Sequence, residues 1–201
     1  MARRYDPNKP VLTKGGNNLV LIFMGFGCGS EDQRAHESRP DVKVFDSDVF
    51  NEPVALTGKL RAVLHVSTDA ANTDFAVSVT DVHPDGYSMQ IRSGLRRLKY
   101  RESTPVETVV TPVLANQIYR VEINLWYTSY VLAAGHKLRV SVSSANTPYY
   151  AKNDNSDTAA DPLGFKHEVV ANNAVHWSPE WPSYVELPVV SLDQLPRNDQ
   201  F

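Results

Sequence analysis

Apolar and polar side chains alternate at every second position through most of this chain, and helical periodicity is nearly absent. Leu60, Ala62, Leu64 and Val66 fall on one side of such a segment, with Arg61, Val63 and His65 on the other. Phe75, Val77 and Val79 alternate with Ala76, Ser78 and Thr80, and Tyr119, Val121, Ile123 and Leu125 with Arg120, Glu122 and Asn124. Leu138, Val140 and Val142 alternate with Lys137, Arg139 and Ser141, and Val185, Leu187 and Val189 with Glu186 and Pro188. Each segment has one wet face and one dry face, as an antiparallel sheet packed on a second sheet requires. Shorter candidates lie at Val42–Phe45, Val54–Thr57, Ser88–Ile91, Leu95–Tyr100 and Thr108–Val113. Thr57-Gly58, Pro84-Asp85-Gly86, Ser93-Gly94 and Ala134-Gly135 read as turns between them. About nine or ten short antiparallel strands at this spacing predict an all-β fold, a β-sandwich or barrel, with the jelly roll preferred. The sandwich is expected over residues 41–190. Residues 1–40 read as an extended segment packed on its surface, residues 191–201 as a tail, and Pro148 to Pro162 as a long polar loop.

Composition narrows the functional classes. With 201 residues, 42% of them apolar, the chain suits one domain and is too apolar for intrinsic disorder. Twenty basic residues against 23 acidic ones leave a net charge of −3, which offers no footprint for nucleic acid or an anionic membrane surface. Cys28 is the single cysteine, so neither an internal disulfide nor a cysteine-based zinc site can be assembled. The longest apolar run, Leu19 to Phe26, is far short of the ~20 residues that span a bilayer. No signal peptide is recognisable at the N-terminus, and the compartment stays open.

Candidate chemistry is sparse. No Ser sits on the Gly-x-Ser-x-Gly turn of an α/β-hydrolase nucleophile, and Gly27-Cys28-Gly29 reads as a flexible loop. The six histidines, His36, His65, His83, His136, His167 and His176, form no His-x-His or His-x-x-x-His pair, so each reads as a hydrogen-bonded structural residue. Gly15-Gly16 lacks the Lys-Ser/Thr continuation of a phosphate-cradling loop. No cofactor is expected. Asp74, Asp81 and Asp85 are weak candidates for calcium. Asp81 shares the dry face with Phe75, Val77 and Val79, so its carboxylate needs partners, and the backbone N–H groups of the following turn are the favoured ones. The aromatics Trp126, Tyr127, Tyr130, Tyr149, Tyr150, Trp177 and Trp181 suit packing or an interface better than a carbohydrate platform.

Several segments, read in order, resemble one family. Tyr5-Asp6-Pro7-Asn8-Lys9-Pro10-Val11, Gly15-Gly16-Asn17-Asn18-Leu19, Asp32-Gln33-Arg34 and Arg39-Pro40-Asp41-Val42 open the match. Asp81-Val82-His83-Pro84-Asp85-Gly86, Gly94-Leu95-Arg96, Gly135-His136-Lys137-Leu138-Arg139-Val140 and Ser143-Ser144-Ala145-Asn146-Thr147-Pro148 carry it on. Each is weak alone; their collinear order over about residues 5 to 190 resembles the C-terminal domain of X-prolyl dipeptidyl peptidases, cocaine esterase and α-amino acid ester hydrolases. The resemblance implies a jelly-roll sandwich of the galactose-binding-domain-like kind. It also implies that the Ser-Asp-His triad belongs to a separate, preceding α/β-hydrolase domain, with no residue of this sequence matching nucleophile, acid or base.

The expected role is therefore that of a non-catalytic accessory domain with a protein partner, either an α/β-hydrolase domain or a second copy of itself. A self-standing binding module for glycan or protein is the alternative, and an enzyme in its own right ranks last. The run around Val20–Phe26 is more apolar than the family pattern and marks a contact surface. Leu19, Leu21, Phe23, Phe26, Trp126 and Tyr130 are the interface candidates.

Overall fold

The computed structural model describes residues 2–156 and 168–194. Ten strands lie among them: β1 (Ala2–Tyr5), β2 (Lys43–Asp46), β3 (Val54–Ser67), β4 (Asp74–Val82), β5 (Ser88–Arg97), β6 (Tyr119–Leu132), β7 (Lys137–Ser143), β8 (Ala171–His176), β9 (Tyr184–Glu186) and β10 (Val189–Val190). The antiparallel pairings are nested. β4 pairs with β5, β3 with β6, β2 with β7 and β1 with β8, so the chain doubles back around the β4–β5 turn. Successive pairs fall in alternate sheets: β2-β7-β4-β5 forms one, and β1, β8, β3 and β6 form the other, with β9 and β10 added along β3. Nested pairs dealt alternately to two layers make a jelly-roll sandwich. Its core is built from the dry faces read in the sequence, with Leu60, Leu64, Ile123 and Leu125 of one sheet meeting Phe75, Val77 and Val79 of the other.

β4 is buried along nearly its whole length, on both faces. Its outer face is covered by the N-terminal segment, which is more structured than a plain extended chain. β1 joins β8 in a sheet, and two helical turns, α1 (Val20–Phe23) and α2 (Arg34–Glu37), follow. Glu37 of α2 anchors the cover. Its carboxylate accepts from Ser88 Oγ at 2.7 Å and Thr80 Oγ1 at 3.2 Å, and pairs with Arg139 at 2.7 Å.

Two expected turns are not turns. Thr57-Gly58 lies within β3 and Ser93-Gly94 within β5. Gly94 is there for closeness: a Cβ on it would lie 2.3 Å from the Asn124 carbonyl oxygen. β5 and β6 thus nearly touch across the sandwich, and Arg92 and Arg96 donate to the carbonyls of Tyr127 (2.6 Å) and Glu122 (3.2 Å) along β6. Thr108–Val113 forms no strand; its backbone is held by Lys99 and by the Arg101 guanidinium. β8 escaped the pattern because one of its inward residues is Asn173, whose amide donates to Thr73 and Ser144. Most of the polar loop, His167 and the end of the C-terminal tail lie outside the described residues. No helix among the described residues is long and apolar enough to cross a membrane.

Candidate functional site

Most of the expected interface residues gather at one place. The loop carrying α1 is pinned at its base, where Gly16 and Gly29 exchange backbone hydrogen bonds of 2.8 and 2.7 Å and Gly15 donates to Phe26 at 3.0 Å. Gly15 is required at this neck. Its φ is +73°, and a Cβ there would meet the Gly29 carbonyl oxygen at 2.5 Å. Above the neck, the Asn18 side chain accepts the Val20 N–H, and Gly25, at φ +81°, ends the helical turn. α1 is too short to be stable by propensity alone. The neck holds it out with Leu19, Val20 and Met24 more than half exposed and Phe23 at 90%.

Trp126 and Tyr127 complete this face from β6. Leu60 of β3 stands opposite both Leu125 and Trp126, a β-bulge, and Trp126 takes a left-handed φ of +67°. A bulky side chain in that region costs roughly 1–3 kcal/mol. The indole nevertheless remains 57% exposed, so the strain is spent on projecting it outward. Between α1 and β6 runs a groove of about 480 Å³ lined by Leu19, Cys28, Ile91, Trp126, Tyr127 and Tyr149. Phe26 is half-buried near the neck, and the side chain of Leu21 lies outside the described residues.

Tyr130 does not belong to the face. It points into the sandwich, packs against the core and donates its hydroxyl to Asp81 Oδ2 at 2.6 Å. Burial first, and then the Asp81 carboxylate, push its phenol well above the usual range. Asp81 is fully buried, and its Oδ1 meets His136 Nδ1 at 2.8 Å. Its partners therefore come from β6 and the β6–β7 turn, not from the backbone of the turn that follows it. The other acidic candidates lie apart. Asp74, at the far end of β4, accepts from Arg97 and Asn153, and Asp85 sits exposed at the turn, accepting the Tyr87 N–H.

Among the described residues one side-chain Ser–His contact forms: Ser67 Oγ lies 3.0 Å from His176 Nε2. The His176 carbonyl accepts from Ser183 Oγ, and its backbone lies opposite His65 in the β3–β8 ladder. Among the described residues no carboxylate is hydrogen-bonded to the ring, as a triad needs. Trp177, 46% exposed, packs edge-on against Phe45, and Trp181 tilts against His65.

Residues 5–186 match the X-Pro dipeptidyl-peptidase C-terminal non-catalytic domain. The chain is 38% identical over 188 residues to the cocaine esterase of Rhodococcus sp. (strain MB1 Bresler), covering 92% of this chain and 31% of that enzyme. Among solved structures, an α-amino acid ester hydrolase superposes with a TM-score of 0.81 at 28% identity, covering 94% of this chain and 32% of that one. An aminopeptidase from a marine-sediment Thaumarchaeota archaeon gives a TM-score of 0.83 at 25% identity, with 95% and 33% covered. The chain thus spans about a third of the length of each of these relatives.

Proposed function

This chain belongs to the X-Pro dipeptidyl-peptidase C-terminal non-catalytic domain family, and from that premise we propose that it is an accessory β-sandwich that packs on a catalytic α/β-hydrolase unit through the face formed by α1, Trp126 and Tyr127. The observation that carries the reading is the pinned apolar loop. A neck of glycines and a strained bulge both spend conformational freedom to hold hydrophobic side chains away from the core they would otherwise join.

Leu19, Val20, Phe23, Met24, Trp126 and Tyr127 each have more than half of their surface left to bury. At about 1.5–3 kcal/mol for a whole side chain, covering them is worth roughly 6–12 kcal/mol. Free association of two molecules costs roughly 4–15 kcal/mol. The partner's own buried surface adds to that gain, so the face suits a modest complex between separate molecules and a firm one with a tethered neighbour, whose effective concentration offsets most of the cost. The relatives, in which a domain like this one is part of a larger hydrolase chain, support such an arrangement.

The test mixes this chain, at concentrations up to about 100 µM, with the catalytic portion of a related hydrolase and measures the mass in solution. A one-to-one complex that Phe23→Asp and Trp126→Ala each weaken at least tenfold is the expected result. A homodimer disrupted by the same substitutions would replace the hydrolase with a second copy of the chain. A monomer indifferent to both partners would overturn the reading.

A further inference from the structure

We propose that Asp81, His83 and His136 form a binding site for one divalent transition-metal ion of the zinc class. Strand register brings the three together. β4 and β7 are paired with Asp81 opposite Leu138 and Val82 opposite Lys137. One further step along the ladder sets His83 against His136. With a side-chain period of two, Asp81, His83 and His136 then share the inner face at one end of the sandwich. The two imidazole rings lie 4.3 Å apart. His136 Nδ1 is 2.8 Å from Asp81 Oδ1, and His83 Nε2 is 3.7 Å from Asp81 Oδ2. One ligand atom from each residue falls within 4.8 Å of the other two.

Three observations favour a metal over a hydrogen-bonded cluster. First, His83 Nε2 is shielded from solvent and has no hydrogen-bond partner, an expensive state for an imidazole nitrogen aimed at a carboxylate. An ion shared by the three residues would satisfy it. Second, the separations suit the chemistry. Zinc bonds of about 2.0–2.2 Å to nitrogen and oxygen place tetrahedral ligands about 3.3–3.5 Å apart; His83 Nε2 already lies 3.7 Å from Asp81 Oδ2, and His136 Nδ1, 2.8 Å from the carboxylate's other oxygen, need move by little more than half an ångström. Third, the carboxylate is oriented from behind, since the Tyr130 hydroxyl holds its Oδ2 at 2.6 Å as outer partners hold metal ligands elsewhere.

Two imidazoles and a single carboxylate select a borderline ion such as Zn²⁺, Co²⁺ or Ni²⁺; calcium, which takes six or more oxygens, is not served by this set. The ion takes the place of the proton between His136 and Asp81. That proton leaves to solvent or moves to His136 Nε2, and no electron is transferred. Both histidines retain some exposure at the hairpin tips, His83 at 32% of its side chain, and this gives the ion a way in.

The whole chain, first stripped with a chelator, is titrated with ZnCl₂ by calorimetry and with CoCl₂ by visible absorption. One ion per chain is expected, with the intense d–d bands of a four- or five-coordinate cobalt centre. The expected rise in Tm is roughly 5–10 °C at a hundredfold excess of zinc over Kd. His83→Ala removes a nitrogen that has no hydrogen-bond partner, together with ring contacts to Tyr87 and His136, so its folding is checked by circular dichroism, and the folded variant should lose at least a hundredfold in affinity. Asp85→Ala, in the same turn but outside the cluster, should bind as the parent does. Absence of zinc uptake by the parent, or uptake that His83→Ala leaves unchanged, would refute the site.

Discussion

Tyr130→Phe isolates one hydrogen bond across the sandwich. The substitution keeps the ring, and so its packing on the core, and deletes only the hydroxyl that donates to Asp81 Oδ2 at 2.6 Å. Asp81 is fully buried, so no water replaces the lost donor. Its Oδ2 is left with only His83 Nε2, 3.7 Å away and beyond hydrogen-bonding distance. Hydrogen bonds to charged groups are worth about 1.5–3 kcal/mol, and an abandoned buried acceptor belongs in the upper part of that range. A loss of about 2.5 kcal/mol in unfolding free energy follows, which for a domain of this length lowers Tm by roughly 5–10 °C. The assay is urea unfolding followed by circular dichroism, with Tyr127→Phe as control. That hydroxyl belongs to an exposed side chain, and its loss should cost less than about 0.5 kcal/mol. Combining Tyr130→Phe with Asp81→Asn should cost less than the two singles added together, because both remove the same contact. If Tyr130→Phe unfolds with the control, the buried carboxylate does not depend on the phenol and the argument fails.

Other substitutions probe the remaining devices of the fold. Gly94→Ala puts a methyl 2.3 Å from the Asn124 carbonyl oxygen and should force β5 and β6 apart, costing roughly 2–3 kcal/mol in chemical denaturation despite the small entropic gain of losing a glycine. Gly15→Ala should open the neck of the α1 loop, seen as faster proteolysis within residues 15–29, while the sandwich itself melts where the parent does. Hydrogen bonds from Arg139, and to a lesser degree Lys137, hold the Asp46 carboxyl at about 2, below its ordinary 3.8. Its folded pKa is lowered, so its contribution to stability is complete above the ordinary value and disappears as the pH falls through about 2. The stability difference between the parent and Asp46→Asn, measured by urea midpoints, should therefore be constant above about pH 5 and shrink steadily from about pH 4 to pH 2.

Period-two alternation was enough to place the core residues of β3, the first half of β6, and β7, because a half-buried strand must show its two environments in its own sequence; in β4 it found the inner face but took Ala76, Ser78 and Thr80 for a wet face, which the N-terminal segment covers. The collinear family motifs were equally legible, and so was the apolar run that became α1. What one strand's sequence cannot contain is its alignment with another. β6 shows this most clearly. Up to Leu125 its odd-numbered residues face the core; the bulge at Trp126 inserts one residue opposite Leu60 and reverses the parity, so Tyr130 and Leu132 turn inward instead. Alternation carried past that point would set Tyr130 outside with Arg120 and Glu122, which is why it could be read as an interface residue. Likewise nothing local pairs His83 with His136; only the β4–β7 ladder does. The glycines in β3 and β5 resembled turns because the need for a bare Cα there comes from another strand's backbone, or from Pro188 against Gly58. Local patterning determined the dry face of each regular strand, and register, a relation between segments far apart in the chain, decided which residues meet and, as at Tyr130, which of them turn inward.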